Sequence, residues 1–141
     1  MRRKGRECAL QLLYQMDMQG LLDADVHSDD IADAVSGFWN SFEAVEDEDR
    51  DYAERLVDGV LRELTELNKL IEGASHRWKL ERMAQVDRNL LRIAAFEMHY
   101  CPDIPRSVSI NEAIEVAKRF SGSESYAFIN GILDNLQPAE S

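Results

Sequence analysis

The chain has 141 residues, of which 45% are hydrophobic and 30% charged, the balance of an ordinary globular protein. Its 3 prolines and 7 glycines are too few for a β-sandwich full of tight turns or for a disordered linker. No apolar run approaches the roughly 18 residues of a membrane span, and no small-residue cleavage pattern follows the basic N-terminus. We therefore expect neither a membrane helix nor a signal peptide.

The net charge of −11 is concentrated in one part of the chain. Residues 23–58 contain 13 acidic and 2 basic side chains, whereas the first 22 residues contain 4 basic and 2 acidic ones. The total charge argues against a nucleic-acid partner, but this distribution leaves room for a basic patch outside the acidic segment.

Apolar residues recur at helical spacing along nearly the whole chain, and no segment alternates convincingly with the period of a strand. This spacing predicts helices over residues 3–19, 28–43, 50–73, 83–99, 109–120 and 123–136, with a short helical turn near 76–81. Ser109 and Glu112 predict a capping box at the start of the fifth helix. The helix at 83–99 is apolar almost all round, so we expect it at the centre of an all-helical orthogonal bundle.

Two glycines and one carboxylate lie inside these predicted helices. Gly59 and Gly131 each cost about 1 kcal/mol relative to alanine there, so we expect a close helix approach at both. Glu97 falls within the apolar stripe of the central helix. We interpret it as a structural carboxylate satisfied by a hydrogen bond or a basic group, because a general base would need a second catalytic group and none is evident.

The sequence contains none of the common motifs that carry enzyme chemistry. It has no phosphate loop, GxGxxG, GxSxG or HExxH motif, and its three histidines stand apart. Cys8 and Cys101 have neither CxxC nor metal-ligand spacing. We expect no catalytic residue, no metal and no cofactor, and we interpret the cysteines as reduced, partly buried thiols of a cytoplasmic protein.

The first helix combines a cationic start with an aromatic ring on its polar side. Arg2, Arg3, Lys4 and Arg6 open it, and Tyr14 projects nearly opposite its apolar face. This combination is typical of a stacking platform for single-stranded nucleic acid, although a frayed basic terminus with a scattered surface tyrosine is the simpler alternative. Phe128 points about 90° away from the core face of the last helix. It is therefore either a core-edge residue or a second stacking residue.

Five motifs, in this order, resemble the NusB transcription antitermination factor family. They are RECALQLLY (6–14), LVxGV (56–60), VDRxLLRIA (86–94), INEAIEVAKRF (110–120) and FINGILD (128–134). Each motif is weak alone, but together they cover nearly the whole chain and are highly specific.

The resemblance implies a fold, a function and partners. It implies a single all-helical domain over residues 1–141, built as about seven helices in two small bundles. NusB proteins bind the single-stranded boxA element of nascent ribosomal RNA as a heterodimer with NusE, a small-subunit ribosomal protein. The pair then joins other factors on RNA polymerase and suppresses premature termination. Family members occur as monomers and as homodimers, so the resemblance leaves the oligomeric state open.

The resemblance also implies an RNA site made of cations, aromatics and carboxylates. The residues that match the family's site, together with a basic neighbour on the central helix, are Arg2, Arg3, Lys4, Arg6, Tyr14, Asp87, Arg88, Glu124 and Phe128. The two carboxylates cannot attract phosphate. In an RNA complex they would accept hydrogen bonds from base amino groups or orient a basic neighbour.

A second hypothesis is a helical protein-interaction module that binds no RNA and docks a basic partner on the acidic face 23–58. The surface potential separates the two hypotheses. A continuous positive patch joining the first helix to Arg88 and Arg92 would favour RNA, whereas an isolated basic terminus would favour the protein-binding module.

Overall fold

The computed structural model describes residues 2–22, 28–41, 45–76, 78–122 and 124–136. These residues form seven α-helices and one short 3₁₀ turn, Leu80–Arg82, and they contain no strand. The helices are α1 (Arg3–Met18), α2 (Ser28–Ser41), α3 (Asp47–Arg62), α4 (Leu64–Ser75), α5 (Gln85–Tyr100), α6 (Arg106–Phe120) and α7 (Ser125–Asp134). The prediction of an all-helical fold is confirmed. Within the described ranges, no helix is both long and apolar enough to cross a bilayer.

The α5 helix is the centre of the packing, as predicted. It contacts α1, α3, α4, α6 and α7, and its residues from Leu90 to Glu97 are all buried. The remaining helices fall into two groups, because α1 contacts α2 and α3 while α6 and α4 contact α7. The two groups meet where α5 packs on α1 and α3, which fits the two small bundles that the resemblance implied.

Three predicted helix boundaries were wrong. The α3 helix begins at Asp47, three residues before the predicted start at 50. The helix predicted over 50–73 is broken at Glu63, whose φ of −103° and ψ of 20° depart from helical values. The α6 helix begins directly after Pro105, whereas the sequence predicted a start at Ser109. Ser109 is instead fully buried inside α6, and its hydroxyl makes no hydrogen bond within the described part of the chain. The predicted capping box is therefore absent, and Glu112 pairs with α1.

The close helix approach predicted at two glycines occurs at one of them. A Cβ atom added to Gly59 of α3 would lie 2.1 Å from Cζ of Phe96 of α5, so the phenyl ring packs directly on the α3 backbone. Gly131 of α7 is exposed, and a Cβ atom there would have no described atom within 4 Å. The expectation for Gly131 was wrong because its face of the helix points to solvent.

Candidate functional site

The first three cations of the chain lie on the surface at the start of α1. Arg2, Arg3 and Lys4 are exposed. Arg3 donates two hydrogen bonds to Glu112 of α6, from Nε to Oε1 at 3.1 Å and from Nη2 to Oε2 at 2.7 Å. Arg2 lies 3.9 Å from the carboxylate of Asp103. These side chains remain accessible to solvent while their charges are partly balanced by neighbouring carboxylates.

Arg6 differs from the other cations because it is buried, with 4% of its surface exposed. Its Nε lies 3.0 Å from both carboxylate oxygens of Glu97, its Nη2 lies 2.8 Å from Oε2, and the hydroxyl of Tyr52 donates to the same carboxylate. Burial opposes the charge on Arg6, but the hydrogen bonds that Arg6 donates to Glu97 and the attraction of that carboxylate outweigh it and raise the pKa of the guanidinium. Glu97 is thus the structural carboxylate that the sequence predicted, and Arg6 is its interior partner and does not face solvent.

Tyr14 lies on an exposed stripe of α1, as predicted, with 37% of its surface accessible. Glu7, two helical turns before it on the same side, accepts hydrogen bonds at 2.8 and 3.0 Å from Nη1 of Arg119 on α6. The Arg119 side chain is 62% exposed. Sequence reasoning missed this cation because nothing in the sequence shows that the end of α6 lies beside α1.

Arg88 and Arg92 of α5 converge on Asp17, near the end of α1. Arg88 holds the Asp17 carboxylate at 2.7 and 2.6 Å, and Asn89 and Arg92 contact it at 2.8 and 3.4 Å. Burial opposes ionisation of Asp17, but the hydrogen bonds from Arg88 and Asn89 prevail and lower its pKa. Both arginine side chains are at least 85% covered (15% and 7% exposed). They tie α1 to α5, and the continuous positive patch that would join the first helix to Arg88 and Arg92 is absent among the described residues. By this criterion the basic start of α1 is isolated, which favours the protein-binding module, so RNA binding must rest on other observations.

Three of the predicted site residues meet in one pocket. Asp87 at the start of α5, Glu124 just before α7 and Phe128 within α7 line a cavity of about 220 Å³. Asp87 is 8% exposed and accepts a hydrogen bond of 2.8 Å from the Ser121 hydroxyl at the end of α6. This bond joins the start of α5 to the end of α6 and fixes the carboxylate at the pocket wall.

Other side chains of this pocket come from the segment before α5, and no sequence pattern had predicted a binding residue there. Trp78 is 52% exposed, and its ring lies edge-to-face against Phe128 with centroids 6.0 Å apart. Arg82 and Met83 also line the cavity. Helical spacing predicts which side chains of a helix are exposed, but it gives no information about a loop. Trp78 lies in a loop, so spacing could not identify it.

Tyr14 and the pocket lie at the same end of the molecule. Asp17, one turn after Tyr14, binds Arg88, and Arg88 follows Asp87 of the pocket directly in sequence. The exposed cations Arg2 and Arg3 lie at the other end of α1, about 18 Å along the helix axis. In the described part of the chain, no group of three or more His, Cys, Asp or Glu side chains could hold a metal ion.

The fold and the site define a small all-helical binding protein with two surface features. One is a pocket lined by aromatic and carboxylate side chains between α5 and α7, and the other is a group of exposed cations at the start of α1 and the end of α6. Comparison with known sequences identifies the group to which it is related. Residues 3–138 match the model of the NusB family, and the chain belongs to that family.

Named relatives and solved structures agree with this assignment. The chain is 45% identical over 98% of its length to the transcription antitermination protein NusB of Myxococcus xanthus, covering 95% of that protein. It is 47% identical over 96% of its length to that of Anaeromyxobacter dehalogenans, covering 89%. The solved NusB of T. maritima is 32% identical with a TM-score of 0.79, over 95% of this chain and 88% of that chain.

A more distant structural neighbour supports the fold alone. It is a complex of the antitermination factors NusB and NusE with double-stranded RNA. Its matching chain is 22% identical with a TM-score of 0.73, over 94% of this chain and 92% of that one.

Proposed function

We propose that this chain is a transcription antitermination factor that binds the boxA element of nascent ribosomal RNA together with NusE and joins the antitermination complex on RNA polymerase. It would act in the cytoplasm as a non-enzymatic adaptor, with residues 1–141 as one RNA-binding domain. Membership of the NusB family and the names of the relatives support this proposal.

The observation that carries the proposal is the convergence of Asp87, Glu124 and Phe128 in one open pocket beside the exposed Tyr14 end of α1. These residues are distant in sequence, and a packed core has no need to bring them together at the surface. An aromatic ring offers a stacking surface to an unpaired base, and a carboxylate accepts hydrogen bonds from base amino groups. The pocket therefore suits bases, whereas phosphates need a different surface.

The cations suited to phosphate are Arg2, Arg3, Lys4 and Arg119, because all four side chains are exposed. Arg3 and Arg119 lie at the α1–α6 contact, because they pair across it with Glu112 and Glu7. An RNA strand lying along this contact would run toward Tyr14. Arg6 and Arg88 matched the expected site by sequence, but they are held inside by carboxylates. We assign them the role of positioning α1 for RNA binding.

The alternative proposal, a face that docks a basic protein, rests on the acidic segment 23–58. Asp29, Asp30 and Asp33 of α2 and Asp47 and Glu48 of α3 are exposed. This surface would repel RNA and could attract a basic protein without any contribution from the pocket. A homodimer of this chain also remains a prediction.

An RNA titration separates the two functions. Labelled boxA-type RNA and a scrambled RNA of the same composition are titrated with the chain, with and without NusE. We expect tighter binding of the boxA-type RNA, strengthened by NusE, because a partner adds contacts and reduces the ordering cost. Equal binding of both RNAs under every condition would refute sequence-specific recognition. Absence of RNA binding, with a partner affinity sensitive to charge reversal in 23–58, would establish the alternative.

Variants test the assigned surfaces. Tyr14→Ala and Phe128→Ala should each weaken RNA binding by about 1–3 kcal/mol, the contribution of one stacked base. A loss of more than about 2 kcal/mol of folding stability in either variant would identify that ring as a core residue.

The salt dependence of RNA binding tests the cations. With four cations engaged, the slope of log affinity against log salt concentration should be about −0.7 × 4, or about −2.8, so affinity falls roughly fifty-fold between about 50 and 200 mM salt. Lys4→Gln should flatten this slope.

A further inference from the structure

Trp78 is a large aromatic side chain held at the mouth of the pocket. It leaves 52% of its surface in solvent, and its ring meets Phe128 edge-to-face at 6.0 Å. The Ser75 hydroxyl donates a hydrogen bond of 2.6 Å to the Trp78 carbonyl, and this bond fixes the backbone after α4. An indole kept half in water contributes little to folding for its size, so its position is better explained by contact with a flat ligand.

The polar side of the pocket is dominated by hydrogen-bond acceptors. Oδ1 of Asp87 accepts the hydrogen bond from Ser121, and Oδ2 makes none to a described residue. Glu124 is exposed, and its carboxylate makes no ion pair or hydrogen bond with any residue that the structure describes. Ser125 adds one hydroxyl to the lining. A ligand that fits must therefore present N–H donors from an apolar, planar body.

Among the RNA bases, this requirement favours those with an exocyclic amino group. Guanine presents adjacent N1–H and N2–H donors that match the two oxygens of a carboxylate, and cytosine and adenine present one amino group. Uracil presents a single N–H flanked by carbonyl oxygens, which a carboxylate repels. We propose that Trp78 and Phe128 form the aromatic corner of a pocket that holds one unpaired, amino-bearing RNA base, with guanine preferred. This inference rests on the proposed RNA-binding function.

Arg82 completes this subsite at its rim. It is exposed, it lines the same cavity, and it forms no ion pair within the described residues. A guanidinium beside the pocket can bind the phosphate of the nucleotide whose base enters it. The pocket thus offers an aromatic wall and an acceptor pair to the base, and a cation to the phosphate.

Short RNAs that differ at one base test the inference. Labelled oligouridylates with guanosine, inosine or uridine at a single central position are titrated with the chain, and binding is followed by fluorescence anisotropy. We expect the guanine RNA to bind about tenfold more tightly than the uracil RNA, since a bidentate base contact discriminates by about that factor. Inosine lacks the N2 amino group and should be intermediate. Glu124→Gln should reduce the guanine preference without unfolding the chain, because the side chain is exposed.

Trp78 is tested by substitution and by its own fluorescence. Trp78→Ala should weaken guanine RNA binding about tenfold, Trp78→Phe should retain most of it, and Arg82→Gln should lower the salt slope by about 0.7. The matched control is Trp39→Phe on α2, which should bind RNA like the unsubstituted chain. The chain has 2 tryptophans, so the Trp39→Phe variant leaves Trp78 as the single indole. Guanine RNA should quench its fluorescence.

The outcomes separate this inference from the function on which it rests. If Trp78→Ala binds all three RNAs normally while Phe128→Ala weakens them, the Trp78 subsite is refuted and the proposed function stands. Equal affinity for guanine and uracil RNAs refutes the base preference. If the chain binds neither these RNAs nor boxA-type RNA, alone or with NusE, both proposals fail.

Discussion

The buried ion pair between Arg6 and Glu97 predicts a large and specific loss of stability in Glu97→Gln. Glu97 is 1% exposed, and its carboxylate accepts hydrogen bonds from Arg6 and Tyr52. Glutamine keeps the shape but removes the charge, which leaves Arg6 with only Glu112, 3.5 Å away. Removal of one partner of a buried pair costs about 3–5 kcal/mol. Because Glu112 compensates in part, we expect about 3 kcal/mol, or a melting temperature lower by about 10 °C.

Urea unfolding followed by far-UV circular dichroism measures this loss. The matched control is Glu115→Gln on α6, where an exposed carboxylate pairs with Lys118 at 3.4 Å. We expect a change below about 0.5 kcal/mol there. The triple variant Arg6→Met/Tyr52→Phe/Glu97→Leu, which also removes the buried hydroxyl that donates to Glu97, should recover most of the stability, since well-packed apolar residues often replace a buried ion pair without loss. A loss below about 1 kcal/mol in Glu97→Gln would refute the reasoning.

Three further predictions concern packing, acid stability and thiol reactivity. Gly59→Ala should destabilise the fold by about 1–3 kcal/mol because its methyl group meets Phe96, whereas the exposed Gly131→Ala should be neutral or stabilising by up to about 1 kcal/mol in urea unfolding. The pKa of Asp17 is lower in the folded chain than in the unfolded chain, so the ionised carboxylate stabilises the fold. This stabilisation is fully present above the unfolded pKa of about 3.9 and is lost as the pH falls through the folded pKa. Asp17→Asn should therefore lower stability at neutral pH, and the difference from the unsubstituted chain should shrink in acid; a constant difference would contradict the role of the charge. Burial raises the pKa of both cysteine thiols, so Ellman's reagent should label them only on unfolding, and rapid labelling of the folded chain would contradict their burial.

Apolar periodicity predicted most of this fold, because each helix buries one apolar face and that face repeats at helical spacing in the sequence. The pattern located α5 at the centre, since a helix that is apolar all round needs neighbours on several sides. It missed the break at Glu63, because the apolar stripe runs on from α3 into α4 and neither glycine nor proline marks the junction. It also placed the start of α6 too late, because Pro105 begins that helix regardless of the Ser109 pattern.

The charges of the site were harder to predict because a sequence gives the type of a side chain without its partner. One signal was nevertheless present. Arg6 is spaced three, four and seven residues from apolar positions of α1, all of them buried, so it belongs to the interior stripe. Glu97 occupies the equivalent stripe of α5. Two opposite charges on two apolar faces predict a buried pair, whereas Trp78 and Arg119 depend on tertiary contacts that no spacing reveals.

The two ion pairs that join α1 to α6 limit how strongly the basic surface attracts polyanions in general. Arg3 already holds Glu112 and Arg119 already holds Glu7, so an incoming phosphate must displace an intramolecular carboxylate. Each exchange replaces one ion pair by another of similar strength, and the net gain per phosphate is small. Indiscriminate adsorption to DNA or to unrelated transcripts is thereby disfavoured. Under the proposed function, discrimination between transcripts then depends on contacts with the bases, which a polyphosphate alone does not provide.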